Sequence, residues 1–320
     1  RADMDALPLR EKNDFPHRSR YEGRMHACGH DGHTAILLGA ARYIAEHRHE
    51  MDFDGAVHFI FQPAEESEGG AEVMIRDGLF TRFPMDAVFG LHNWPGIPLG
   101  EMAVMPGPVM AGTCSFEIAV RGQGCHAAMP HQGVDTLVAT SQLVLALQTV
   151  VARNLHPCES AVVSVTQIHG GEAWNVIPDD AVVRGTIRTF NTATQDLVEQ
   201  AIERLCSGIA STFAAEITVR FDHRYPPTVN SEPETEVCRR VASEVLGPER
   251  VRGNELPSMG AEDFAYMLRE KPGCYVWLGN GPGEAGCTLH NPHYDFNDEI
   301  ISLGISYWVR LVQTVLRGEH

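Results

Sequence analysis

Apolar residues along this chain follow two rhythms: short unbroken runs, and repeats at every third or fourth position. The runs Ala56–Phe61 and Ala87–Leu91 predict buried strands, each closed by polar or Pro-containing sequence. Ile36, Leu37, Ala40, Ala41 and Ile44 predict a helix over His33–Arg48. Leu137, Ser141, Val144, Leu145, Gln148 and Val151 line one side of a longer predicted helix, Val134–Leu155. A third, Thr235–Leu246, is stopped by Gly247-Pro248. A fourth, Asn297–Leu316, has Asn297 as N-cap and Gly318 just beyond its end.

The middle of the chain has a different texture. Ser115–Arg121, Ala161–Ile168, Ala181–Phe190 and Glu216–Asp222 read as strands, interrupted by helices at 134–155 and 195–212. Four strands and two helices make a self-contained α+β unit, entered through Pro106-Gly107-Pro108 and left through Tyr225-Pro226-Pro227. The expected fold class is therefore α/β, with a discontinuous domain of residues 1–108 and 223–320 interrupted by an inserted α+β domain, 109–222.

Composition narrows the classes of function. The chain has 320 residues, 43% hydrophobic and 21% charged, which is ordinary globular material long enough for a substantial core. Asp and Glu total 42 against 25 Lys and Arg, a net charge of −17. That sign repels phosphate backbones and anionic lipid, so neither nucleic acid nor membrane is an expected partner. No apolar run approaches the ~20 residues that span a bilayer. Eight cysteines without a CxxC pair are too sparse for a disulfide scaffold, and a reduced, cytoplasmic location is expected.

Sixteen histidines are more than packing needs, and several fall beside Gly, Asp, Asn or Pro. The densest polar cluster is His26-Ala27-Cys28-Gly29-His30-Asp31-Gly32-His33, read as a tight loop ahead of the first helix. Cys28 and His30 stand two apart, so a turn of the backbone lets thiolate and imidazole converge on one borderline metal ion. Gln62-Pro63-Ala64-Glu65-Glu66-Ser67 ends the first strand, where ligands bind in open α/β sheets. One of two adjacent carboxylates can hold a metal while the other takes a proton from water. His92 follows the second predicted strand, and His290 lies in Leu289-His290-Asn291-Pro292-His293. Cys28, His30, Glu66, His92 and His290 all fall in the outer domain. Five ligands exceed the four of a closed zinc site and suit two ions or an open catalytic site.

No HExxH, GxSxG or GxxxxGK[ST] occurs. Gly281–Gly286 spells GxGxxG, but it runs on towards His290 instead of opening a helix, so a dinucleotide site is not expected there.

RADMDALPL at 1–9, MHACGHDGHTA at 25–35, FQPAEE at 61–66 and GLHNWP at 90–95 resemble a known family. HAAMPH at 126–131, WNVIPD at 174–179, GTIRTF at 185–190, GAEDFA at 260–265 and LHNPHYDFND at 289–298 continue the match in order. The family is the N-acyl-amino-acid amidohydrolase branch, with hippurate and auxin-conjugate hydrolases, of the dinuclear-metal aminoacylase and carboxypeptidase superfamily. The resemblance implies a metallopeptidase-like catalytic domain and a ferredoxin-like lid or dimerisation domain, with a homodimer formed through the lid. It implies two divalent metal ions (Mn, Zn, Co or Ni) on Cys28, His30, Glu66, His92 and His290, and Glu65 as the general base. The implied reaction is hydrolysis of an N-acyl amino acid; a dipeptidase or small carboxypeptidase would use the same centre, and an inactive binding scaffold is the remaining alternative. His126 matches a lid histidine that donates to the oxyanion, and Asn175 and Arg188 match lid residues that hold the substrate carboxylate. Asp3 and Asp5 are expected to orient ligands rather than bind metal. Family members carry some tens of residues before the stretch matching RADMDALP, so the chain is expected to start inside the catalytic sheet.

Overall fold

The computed structural model describes residues 1–66, 68–282 and 288–317, which divide into two compact units. The first comprises Arg1–Val109, Thr228–Pro257 and Asp263–His320; the second comprises Met110–Pro227 and Ser258–Glu262. The inserted segment thus leaves at Pro227 rather than at 222, because its last strand continues to Tyr225.

In the first unit, Val88–Trp94 runs parallel to Gly273–Gly279, with Val88 opposite Gly273 and His92 opposite Trp277. Met102–Ala103 and Val251–Arg252 complete a four-stranded sheet. Every residue of Gly273–Gly279 is buried, as an unbroken apolar strand inside an α/β layer should be. Helices His30–Glu46, Glu232–Leu246 and Ile301–Val315 supply Ile36, Leu37, Cys238, Val241, Tyr307 and Leu311 to a core shared with Leu91, Val276 and Leu278 of the sheet.

Several expected elements differ. The run at 56–61 is a strand only at Phe61–Gln62, where Ala2–Asp3 pairs with it in parallel. An extended run becomes a strand only where a neighbour supplies ladder hydrogen bonds, and these two residues supply few. The first helix starts at His30, not His33: Gly29 takes φ +91° and lets the chain turn directly into the helix. His92, expected beyond its strand, lies within Val88–Trp94. At the C-terminal end, Asn297 caps a short 3₁₀ turn, its side chain accepting from the Glu299 amide, before Ile301–Val315 begins. Gly318 and residues 283–287 of the Gly-rich loop lie outside the described residues.

The second unit is an antiparallel sheet in the spatial order Glu216–Tyr225, Gly112–Arg121, Asp180–Thr189, Ala161–His169. With helices after the first and third strands in chain order, this is the βαββαβ arrangement of a ferredoxin-like fold. Alternate residues of Gly112–Arg121 are buried, and Phe116, Ile118 and Val120 pack against Leu143, Val198 and Ile202 of the helices. The helix expected over 134–155 is broken into Thr136–Leu147 and Thr149–Asn154. Gln148 and Thr149 turn their side chains back onto the Val144 and Ala146 carbonyls where a β-branched run begins, and both features weaken a continuous helix.

Candidate metal centre

The polar cluster of the first unit is assembled from four backbone devices. Gly29 places Cys28 just before the first helix and His30 at its first residue, so His30 and His33 share a helical face. A side chain on Gly29 would collide with Asn93, so this approach needs glycine. Asp5 accepts from the backbone amides of Glu65 and Glu66, at 3.0 Å each, and pins the turn after Phe61–Gln62. Strand Val88–Trp94 carries His92 into the interior. Ahead of Asn291, His290 adopts φ +63°, and its amide donates to the Ala27 carbonyl at 2.7 Å.

These devices bring the five residues singled out in the sequence together. Cys28 Sγ lies 3.5 Å from His92 Nε2. His30 Nε2 lies 3.8 Å from Glu66 Oε1, and His290 Nε2 lies 3.2 Å from Glu66 Oε2. One donor atom from each of Cys28, His30 and Glu66 falls within 4.8 Å of the others. The histidine tautomers suit ligation. His92 Nδ1 faces the Asn93 carbonyl at 2.6 Å and His30 Nδ1 faces the Asp5 carbonyl at 3.1 Å. A carbonyl oxygen only accepts, so both Nδ1 atoms carry hydrogen and the Nε2 atoms face the cluster. Glu65 is buried beside this group.

Burial and the neighbouring carboxylates set the electrostatics of the site. Burial, then Glu66, Glu65 and Asp3, push the Cys28 thiol well above its ordinary range. For His30, burial opposes a charge, but the Asp3 carboxylate, the Asp5 hydrogen bond and Glu66 prevail and raise its pKa to about 9. Burial, aided by His33, holds His92 well below its usual value and therefore neutral, the form that binds metal.

The other predicted residues belong to the second unit. His126 is exposed on a two-residue strand paired with Val176–Ile177; its Nδ1 accepts from the Ala128 amide. Asn175 stands next to that ribbon, and its carbonyl accepts from the Ala127 amide. Arg188 is half-buried on Asp180–Thr189 and bonds only Thr186 Oγ1 and the Ile187 carbonyl, with no carboxylate partner among the described residues. Its pKa is lowered by burial.

Residues 1–314 match Peptidase family M20/M25/M40.

The chain belongs to that family.

A hippurate hydrolase of Campylobacter jejuni is 40% identical over 317 residues, covering 99% of this chain and 81% of the relative. An N-acetyl-L-cysteine deacetylase of Bacillus subtilis is 40% identical over 313 residues, covering 97% and 72%. Among solved structures, the Bacillus subtilis YXEP protein, described as a dinuclear metal binding peptidase from the M20 family, superposes with TM-score 0.84 at 34% identity, covering 98% of this chain and 80% of that one.

The residues of this M20 family chain fit a metal on grounds of its own geometry. Among the described residues, His30 Nε2 and Glu66 Oε1 are both buried with no hydrogen-bond partner. Two such atoms 3.8 Å apart are orphaned at a cost unless a cation sits between them. That separation suits two bonds of roughly 2.0–2.2 Å to one ion.

Sequence reasoning missed His33, Asn93 and Tyr294. His33 Nδ1 lies 2.5 Å from Asp3 Oδ1, its Nε2 lies 2.7 Å from Asn93 Oδ1, and Asn93 donates to Tyr294 Oη at 2.5 Å. Asp3, which also takes a 2.8 Å ion pair from Arg1, therefore has its oxygens engaged by Arg1 and His33 while lying 3.7 Å from His30 Nε2. The available signal was the three-residue spacing of His30 and His33, legible once the helix start is moved back.

Proposed function

We propose that this chain hydrolyses the amide bond of N-acyl amino acids, with Glu65 as general base and two divalent metal ions on Cys28, His30, Glu66, His92 and His290. The observation that carries the reading is a pair of buried atoms, His30 Nε2 and Glu66 Oε1, that have no hydrogen-bond partner among the described residues, with Glu65 adjoining in the same turn. The bound ions would supply Lewis acidity that lowers the pKa of water and polarises the acyl carbonyl. Glu65 takes a proton from the attacking water as its oxygen bonds to the acyl carbon, and returns it to the nitrogen as the C–N bond breaks. A carboxylic acid and a free amino acid result. Asp5 anchors the turn that carries both carboxylates by accepting from the Glu65 and Glu66 amides, while the Glu66 oxygens face His30 and His290.

In the second unit, His126 is assigned the oxyanion and Asn175 and Arg188 the substrate carboxylate. Arg188's lack of a carboxylate partner among the described residues supports this assignment. A homodimer through this unit is supported by its edge strand, Ala161–His169, and by the exposed Leu137, Val138 and Leu145 on helix Thr136–Leu147. A reduced, cytoplasmic location is supported by seven free thiols among the described residues, where no helix is long and apolar enough to cross a membrane.

The test is hydrolysis of N-benzoyl, N-acetyl and dipeptide substrates with Mn, Co, Ni or Zn, and with chelator. Chelator-sensitive release of free amino acid, with N-acyl substrates ranked above dipeptides, is the expected result. Dipeptides ranked first would move the chain to the dipeptidases, and no turnover with metal bound would remove the hydrolase reading.

A further inference from the structure

Away from the candidate centre, the second unit holds another trio of donors. Cys114 of Gly112–Arg121 stands directly opposite His223 of Glu216–Tyr225, so their side chains share one face of the sheet. Glu199 reaches this face from helix Thr192–Phe213. One donor atom from each of Cys114, Glu199 and His223 lies within 4.8 Å of the others. His223 Nε2 and Glu199 Oε1 are already 2.7 Å apart, and Gln195 Nε2 donates to the same oxygen at 2.5 Å, which holds the carboxylate in place. The strand register shifts between His223 and Tyr225, an irregularity of the kind that re-aims a side chain.

We propose that Cys114, Glu199 and His223 form a binding site for a single zinc-class divalent cation, separate from the dinuclear centre. Sulfur, imidazole nitrogen and carboxylate oxygen from three different elements are the donor set that borderline ions take. Cys114 is almost wholly buried while the His223 side chain is 62% exposed, so the thiol forms the floor of the site and the imidazole the rim through which an ion enters. Binding releases the thiol proton to solvent and moves the His223 Nε2 hydrogen to Nδ1, so that two bonds to metal replace the Glu199–His223 hydrogen bond, leaving a fourth position to water or an added ligand. Burial and the Glu199 charge raise the thiol to about 12, and a cation at this point reverses both effects. Cys114 stands four residues after Met110, where the unit begins, and His223 four before Pro227, where its main segment ends. A bound ion would therefore tie a central strand, an outer strand and the longer helix together close to both crossings of the chain.

The experiment uses the whole chain, reduced and carrying Cys28→Ser, so that the thiolate of the proposed dinuclear centre cannot contribute a signal. Titration with Co²⁺ alone should give a thiolate-to-cobalt charge-transfer band that saturates at one equivalent above any cobalt taken up without the band. Adding Cys114→Ser should abolish the band and lower zinc content by one ion per chain. His223→Ala, which alters an exposed side chain and so spares the fold, should weaken cobalt binding roughly tenfold or more. Cys206→Ser, at another buried thiol of the same unit, should leave the band intact. A band that survives Cys114→Ser, a titration unmoved by both His223→Ala and Glu199→Gln, or no band at saturating Co²⁺ would overturn the assignment. The outcome does not depend on whether the chain hydrolyses N-acyl amino acids.

Discussion

Glu65 and Glu66 are chemically identical neighbours separated only by what surrounds their oxygens. Glu66 points one oxygen towards His30 and the other towards His290. Glu65→Gln should accordingly keep the full metal content and lose turnover by ~10²–10⁴-fold, read from kcat on the best N-acyl substrate alongside elemental analysis. Near-normal turnover would take Glu65 out of the mechanism. A second prediction concerns His17, whose ring stacks on Phe15 and sits 2.9 Å from Asp295 Oδ1. The hydrogen bond to Asp295 raises its pKa from 6.5. Because the folded value is raised, the contact contributes fully below about pH 6.5 and fades as pH rises through the elevated midpoint. An NMR titration should place the His17 midpoint above 6.5, and Asp295→Asn should bring it back; an unshifted midpoint would show that the pair does not form in solution.

At the scale of elements, most departures from expectation come from contacts that a one-dimensional pattern does not contain. Periodicity located the helix of Ile36, Leu37, Ala40 and Ile44, but its start was set by Gly29 packing under Asn93, sixty-four positions away, and that start decides that His30 is helical. The apolar run at 56–61 was equally legible, yet its strand length depends on the partner Ala2–Asp3. Glycine again controls the turn bearing the carboxylates. Gly70 opens helix Gly70–Arg76, and a Cβ there would run into the backbone carbonyl of Pro63. Alanine favours a helix by ~1 kcal/mol over glycine in the absence of such a clash. Here Gly70→Ala should destabilise the chain by about 1–3 kcal/mol in a denaturant titration and lower kcat, because the displaced Pro63–Glu66 turn carries both carboxylates. A gain in stability would mean that this turn yields freely.

For the molecule as a whole, the expected inserted unit followed from texture: four strands with two helices of their own, bracketed by proline. Which of its faces stays exposed did not. Leu145 is 65% exposed on Thr136–Leu147, in the same unit as an edge strand, Ala161–His169, bonded on one side only among the described residues. On the proposed homodimer, Leu145→Glu should leave the fold unchanged by circular dichroism while weakening self-association by at least roughly tenfold in sedimentation experiments, since a charge buried at an interface without a partner costs several kcal/mol. Unaltered association would place any dimer contact elsewhere.

The chemistry of the candidate centre was legible because it resides in residue types: a thiol, imidazoles and paired carboxylates are rare together, and the breaks in hydrophobic periodicity put them near strand ends. The same holds for the α/β class and the inserted sheet, since alternation and helical period are local properties of the chain. Tertiary structure alone decided that Asp3 is engaged by Arg1 and His33, that Asn93 and Tyr294 brace His33, and that Cys114 meets His223 and Glu199. All of these but the Arg1–Asp3 pair join residues tens to hundreds of positions apart, and their distances are set by sheet register and by close backbone packing at glycine, neither of which leaves a periodic trace in the sequence.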